Sequence, residues 1–363
     1  MKQAHSLAIK LKPLLGWHQS HIDLLALFIF GLIQTGSVNL TRIARTMGPS
    51  ALTDSHNKRL KRFLRSFDLN FDQIAQLITC ISAPEGRWIL SLDRTNWQKG
   101  TFKINILVLA ITVDEVAIPI LWTLLPKKGN SNTEERIVLM KRFLRIFGLE
   151  RIDYLTADRE FKGIIWIKWL QKKRIPFRIR IANNTLIQNR NGNRSLHATR
   201  LFSLKANECM VLNKARRLWE TQVWVGGFRS AKEHVIVISS HKTQTILDDY
   251  CRRWSIETLF QSLKKRGFNL EETGLRDMER VERLFAVVAL SFCWCHHAGY
   301  LLDQTKPIKI LKHGRPAKSK FRYGWDYLCT LIFNTVGLGQ QIDELVAHIN
   351  NRRPKIYAAS GYF

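Results

Sequence analysis

The sequence predicts a mixed α/β protein: a helical N-terminal segment, then a sheet flanked by helices, with a strand-rich insertion. Three observations carry that expectation. Residues 1–85 place apolar side chains at helical spacing. From Gly86 the pattern turns to short apolar runs alternating with helical stretches. Residues 182–240 change again, to short alternating runs behind a group of turn-forming residues, Asn183, Asn184, Asn189, Asn191, Gly192 and Asn193. Apolar residues make up 45% of the 363, the ordinary globular share, so a disordered basic tail is excluded.

In the first segment, helices are expected at His21–Ile33, from Asn39 to Arg45 with Asn39 or Thr41 as cap, and at Ser55–Phe67. The last sets Leu60, Phe63, Leu64 and Phe67 on one face, with Lys58, Arg59, Lys61, Arg62 and Arg65 filling the rest. Strands follow at Trp88–Asp93, Ile104–Val113 and Val116–Leu125, the last two joined by a turn at Asp114–Glu115. A helix over Thr133–Phe147 is read as starting on Thr133 and Arg136 rather than on a capping box. Then come a strand (Ile152–Ala157), a helix (Phe161–Lys173) and a strand (Ile175–Ile181). The insertion ends in a strand at His234–Ser239. Long helices are expected at Ile246–Arg266 and Asp277–Leu302. Thr305–Arg322 reads as a loop with seven Lys/Arg and no acid, and one or two helices close the chain.

Lys plus Arg is 57 against 29 Asp plus Glu, a formal charge of +28. So large a charge repels itself in the compact state and calls for an anionic partner, nucleic acid first. The basic Ser55–Phe67 helix behind a short helix suits DNA contact at Lys58, Arg59 and Arg62, although a solvated helix face carries the same pattern. Six cysteines without CxxC pairing exclude a disulfide scaffold and suit a reducing cytosol. Cys293, Cys295, His296 and His297 lie too close in sequence on one apolar helix to surround a zinc ion. No membrane partner is expected: Leu24–Ile33 is about half a span, and Ser291, His296 and His297 interrupt Leu284–Leu302. The N-terminus lacks a continuous apolar stretch, so secretion is not expected.

Chemistry concentrates in the Ile246–Arg266 stretch. At about 100° per residue, Tyr250, Arg253, Glu257 and Lys264 share one narrow stripe, beside an apolar arc of Ile256, Leu259, Phe260 and Leu263. An exposed Arg253/Glu257 pair at i, i+4 would look the same in sequence. Asp93 and Asp158 stand at the ends of the first and fourth strands, where a shared sheet edge brings distant carboxylates together. A turn residue at Asp93 and an N-cap at Asp158 are the ordinary alternatives. Three carboxylates in so basic a chain make sense with divalent cations, which remove their conflict with phosphate and activate a water or a 3′-hydroxyl.

The string Tyr250-x-x-Arg253-x-x-x-Glu257-x-x-x-x-x-x-Lys264 resembles the Y-R-E-K signature of the IS-four group of bacterial insertion-sequence DDE transposases. Ser91-Leu-Asp93-Arg-Thr95-Asn96 is similar to that family's first aspartate block, and Thr156-Ala-Asp158-Arg159-Glu160-Phe161 to its second. The resemblance covers about residues 86–303. It implies a ribonuclease-H-like core whose long gap between Asp158 and Glu257 holds a β-rich insertion. It further implies that Asp93, Asp158 and Glu257 are catalytic and bind two Mg²⁺ (Mn²⁺ substituting). Tyr250, Arg253 and Lys264 would contact transposon-end phosphates, and Arg159 would support Asp158 or DNA. Relatives set a tryptophan of the insertion against a flipped base; Trp224 and Trp219 are the candidates here. The partners implied are double-stranded DNA, both terminal inverted repeats and target, and a second copy in a homodimer on paired ends, with cut-and-paste excision commonly through a hairpin.

Five segments are therefore expected: a helical DNA-binding domain (1–85), the core's first part (86–181), the insertion (182–240), the core's second part with the signature (241–303), and a basic loop with a helical C-terminal region (304–363). The expected location is the bacterial cytoplasm, at the nucleoid. A related metal-dependent nuclease without strand transfer, or a domesticated DNA-binding protein, are the competing readings.

Overall fold

The computed structural model describes residues 2–189, 191–192, 194–334 and 336–357, so Asn193 and the tail from 358 lie outside the described residues. Five helices open the chain: α1 (Lys2–Leu15), α2 (Gln19–Thr35), α3 (Leu40–Thr46), α4 (Thr53–Ser66) and α5 (Phe71–Ser82). The cap of α3 is Asn39, whose side chain accepts from the Thr41 and Arg42 amides at 3.0 and 3.1 Å. On α4 the expected face is inside, with Leu60, Phe63 and Leu64 buried while Lys58, Lys61, Arg62 and Arg65 are exposed. Two of the five, α1 and α5, go beyond the expected three helices. The inward stripe of α1 is partly built from alanine (Ala4 and Ala8 beside Leu7, Leu11 and Leu15), and Pro13 sits inside the helix, which together weaken its helical signal.

The sheet starts with β1 (Trp88–Lys99), β2 (Phe102–Val113) and β3 (Val116–Leu124), followed by α6 (Thr133–Phe147), β4 (Ile152–Ala157), α7 (Ile164–Lys172) and β5 (Phe177–Ile181). The start of α6 corrects the expectation: Asn132 and Glu135 form a reciprocal capping box, satisfying two amides that a Thr133 start would leave open. Beyond β5 come the short pair β6 (Leu186–Gln188) and β7 (Ser195–His197), then β8 (Glu208–Val211), β9 (Arg216–Leu218), β10 (Thr221–Arg229) and β11 (His234–Ser239).

Among the described residues nine strands join in one sheet, ordered β3-β2-β1-β4-β5-β11-β10-β8, with β9 against β10. Strands β1, β2 and β3 are antiparallel neighbours, whereas β1-β4 and β4-β5 are parallel. This central mixed sheet, flanked by helices, is consistent with a ribonuclease-H-like core. The strand-rich stretch is continuous with it, because β11 pairs antiparallel with β5 and extends the same sheet.

The stretch Ile246–Arg266 is not one helix. It forms α8 (Ile246–Cys251) and α9 (Trp254–Leu263), joined by a turn in which the Arg253 and Ile256 amides bond back three residues. The sheet explains the break: α8 packs on β4, β5, β10 and β11, and α9 on β1, β2 and β3. A twisted sheet turns those two halves relative to each other, and a straight rod cannot lie on both.

The chain closes with α10 (Met278–Thr305), α11 (Lys320–Asn334) and α12 (Leu338–Tyr357). Helix α10 is long and apolar enough to cross a membrane, but every side chain from Leu284 to Gly299 is buried, against α2, α4, α5, α11 and β3. Helices α10 and α11 touch through glycine. A Cβ on Gly299 would sit 1.9 Å from the Lys320 carbonyl oxygen, and one on Gly324 1.9 Å from that of Cys295.

Candidate active site

Strand alternation decides which side chains of β1 meet which layer. Trp88 packs on Phe143 and Phe147 of α6. Ser91 points the other way and bonds Thr112, which bonds Ser255 of α9, at 3.0 and 3.1 Å. Asp93, two residues beyond Ser91, therefore faces the α9 layer. The parallel register aligns Ser91 with Thr156 and Leu92 with Ala157. Asp93 is the next residue along β1 and Asp158 the first residue past the end of β4, so the register brings the two side by side.

Asp93 lies in the body of β1, not at its end. Polar residues follow it, but their backbone stays paired with β2 as far as Lys99 opposite Phe102. Their side chains find partners of their own: Arg94 makes a two-pronged pair with Glu160 at 2.9 and 3.0 Å and also reaches Asn105 and Asn130. Arg136 of α6 donates to the backbone oxygens of Ser131, Glu160 and Lys162. Together the two arginines clamp the loop that follows Asp158.

Arg253 joins the acidic residues. Its Nη1 donates to Asp93 at 3.2 Å, its Nη2 to Glu257 at 2.7 Å, and its Nε to the Tyr250 hydroxyl at 3.2 Å. Tyr250 in turn donates to Asp158 at 3.2 Å. Three carboxylates from two strands and a helix thus meet around one guanidinium and one phenol. Arg253 and Tyr250 are buried, at 6% and 3% exposure, so they do not form the open phosphate-facing row that an exposed helix would display.

Burial pushes the Asp93 carboxyl up to about 6, against the pull of Arg253 and with repulsion from Glu160 and Asp158 adding to the rise. Burial also pushes Tyr250 up to about 12, leaving it a hydrogen-bond donor at neutral pH. Burial works against the charge on Arg253, but Tyr250, Asp93, Glu257 and Asp158 outweigh it and hold the guanidinium charged. Among the described residues, no three His, Cys, Asp or Glu side chains form a ready-made metal cage. The donor set nevertheless fits a hard cation: Asp93, Asp158 and Glu257 offer oxygen ligands brought together around Arg253 and Tyr250.

Lys264 leaves the row. Helix α9 ends at Leu263, and the Lys264 ammonium turns to the Asn96 carbonyl at 3.0 Å and to Glu271 at 3.1 Å, over the Trp97 ring. Arg159 is exposed beside Asp158. Lys58 and Arg62 are exposed and Arg59 half-buried; Arg59 and Arg62 line a hollow of about 460 Å³ with His21 and Phe67. Trp224 lies on β10 opposite Ser239, with the Lys242 ammonium over its ring at 5.7 Å. Three strand steps separate it from Asp158's strand, about 14 Å at the usual spacing. Trp219 sits half-buried in the turn before β10.

Two further residues stand out near the centre. Arg180 on β5 is held by Glu233 at 2.6 Å, and its charge is felt by both Tyr250 and Asp158. Cations alternating with apolar residues in Phe177-Arg-Ile-Arg-Ile181 were the available signal, since a buried strand cation needs a partner. Trp254, next to Arg253, is 56% exposed on the first turn of α9, against the apolar assignment its size suggests.

A mixed sheet that gathers acids from separated parts of a strongly basic chain defines a class of nucleic-acid-processing domain. The model of one such family, the transposase DDE domain, matches residues 79–294, more than half of the chain, and the chain belongs to that family. No curated protein matches it. Among solved structures, a cryo-EM structure of a piggyBac transposase synaptic complex with hairpin DNA is similar, at 12% identity and a TM-score of 0.48, over 90% of this chain and 76% of that one.

Proposed function

We propose that this protein is a transposase that binds the terminal inverted repeats of an insertion sequence of the IS-four type, cleaves there, and transfers the strands to target DNA. The observation that carries the reading is the convergence of Asp93, Asp158 and Glu257 on Arg253 and Tyr250, from elements 65 and 99 residues apart in sequence. In this reading the three carboxylates hold two Mg²⁺ ions, or Mn²⁺. When bound, these would supply the Lewis acidity that activates a water or 3′-hydroxyl and stabilises the leaving oxygen.

The chain's own residues do the rest. Arg253 balances Asp93 and Glu257 and, with its Nε on the Tyr250 hydroxyl, holds the carboxylates in position. Tyr250, kept protonated, orients Asp158. Arg94 and Arg136 keep the Asp158 loop in place. Lys264 and Arg159 flank the centre as phosphate contacts, and Lys58, Arg59 and Arg62 extend the contact to the duplex through α4. Trp254, adjacent to Arg253 in sequence and 56% exposed, offers a ring for base stacking beside Trp224 and Trp219 as candidates. A homodimer on paired ends, working at the bacterial nucleoid, completes the proposal.

The test is cleavage of an end oligonucleotide with Mg²⁺. Asp93→Asn, Asp158→Asn and Glu257→Gln are each expected to abolish it while duplex binding persists. Full cleavage by any of the three would remove that residue from the site.

A further inference from the structure

We infer that residues 306–318 form a second duplex-DNA contact, a basic hairpin set apart from the carboxylate centre; this rests on the transposase reading for its biological use but not for its chemistry. Sequence alone gives a charged loop. The structure gives a ribbon: Ile310 pairs with Pro316, the Leu311 amide bonds the Arg315 carbonyl at 2.9 Å, and the Ala317 amide bonds the Lys309 carbonyl at 2.8 Å. Gly314, at φ +78°, makes the tip turn. The charges divide into two groups. Lys318 pairs with Asp326, Lys320 with Asp114 and Arg322 with Asp326, so these three fasten the hairpin root to the body. Among the described residues, Lys306, Lys309, Lys312 and Arg315 make no ion pair, and all four are exposed.

Four cations held on a pre-ordered ribbon, with no acid between residues 305 and 322, suit a polyanion of regular spacing. A two-stranded ribbon has the cross-section that a DNA groove admits. The hairpin is also joined to the centre by a basic track. Lys265 and Arg266 line a hollow of about 460 Å³ with Arg94 and Glu257, and they also line one of about 720 Å³ with Ser319 and Arg322. A duplex leaving the carboxylates along Lys265 and Arg266 arrives at the hairpin root. A second copy of this chain is a poor alternative occupant of the hairpin itself, because four unpaired cations there would need an acidic patch to face them, and acids are few in this chain.

The experiment compares the full chain with Lys306→Ala/Lys309→Ala/Lys312→Ala/Arg315→Ala in binding to a generic 30-base-pair duplex across a salt series. A variant losing the same charge elsewhere, Lys172→Ala/Lys173→Ala/Lys205→Ala/Lys232→Ala, is the control. Every phosphate the protein no longer neutralises flattens the slope of log K against log salt by about 0.9, so the hairpin variant should lose about 2 to 4 in slope and the control less than 1. Equal slopes for the wild type and the hairpin variant, or equal losses in both variants, overturn the hairpin contact. Cleavage is scored separately: absent Mg²⁺-dependent cleavage with the slope difference intact refutes the transposase reading and leaves the hairpin standing. Because the four side chains are exposed, unchanged thermal unfolding accompanies the expected result, and Lys312→Glu/Arg315→Glu at the tip should weaken binding in the same direction.

Discussion

Arg253 and His296 are both buried basic side chains, and the protein treats them in opposite ways. Arg253 lies at the joint of α8 and α9 among three carboxylates and a phenol, and it keeps its charge. His296 lies in α10, among apolar neighbours. Burial, with Lys320 adding to it against the weaker pull of Asp114, brings it down to about 4. Its neighbour His297 is brought down to about 3 by burial, with His348, His296 and Arg352 adding to it. The contrast teaches that burial alone does not mark a functional charge; the counter-charges brought in from other elements do.

The contrast is broken most directly at Arg253. Arg253→Ala leaves Asp93, Asp158 and Glu257 facing one another without their cation, and is expected to destabilise the fold by about 3 kcal/mol. Urea unfolding measures this, and Mg²⁺ should recover part of the loss. A loss below about 1 kcal/mol would mean that solvent already screens the cluster.

Of comparable size is the acid response of the histidine layer. His296 and His297 are neutral in the fold and take up protons near pH 6.5 when unfolded, so the stability they contribute is fully present above pH 6.5. It is lost as pH falls through that value toward about 4 for His296 and about 3 for His297. For His296 alone the loss is about 3 kcal/mol. The gap between unfolding midpoints at pH 7 and pH 4.5 should therefore narrow in a His296→Leu variant, with His297 supplying what remains; an unchanged gap would assign the acid sensitivity elsewhere.

The smallest effect on stability is expected on α4, where Lys58 and Arg62 are exposed, Arg59 is half-buried and, among the described residues, none of the three makes an ion pair. Lys58→Ala/Arg59→Ala/Arg62→Ala should shift stability by under about 0.5 kcal/mol per site. Its DNA affinity should fall, with a salt slope reduced by about 0.9 for each phosphate left without its cation. A full slope in this variant would leave α4 as an ordinary solvated face.

Much of the architecture was legible in the sequence, because it is written in local periodicity. The strands β2, β3 and β4, the helix α6 and the inward face of α4 fall where apolar spacing sets them. The capping box of α6 and the extent of β1 did not, and both concern polar residues whose partners decide their state: Glu135 reaching back to Asn132, and Arg94 to Glu160. The candidate centre was half legible. The positions of Asp93, Asp158 and Glu257 could be named from motif and spacing, but the burial of Arg253, the departure of Lys264 toward Asn96, the exposed Trp254 and the partnered Arg180 could not.

The sequence by itself determined the mixed α/β class, the family motifs and the excess of positive charge, since each rests on residue type and short-range order. The tertiary structure alone decided which acids meet. Asp93 and Asp158 become neighbours only because β1 and β4 run parallel in one register, and Glu257 joins them only because sheet twist breaks one expected helix into α8 and α9 and leaves Arg253 at the joint. Those are contacts between elements far apart in the chain, and no local pattern encodes them.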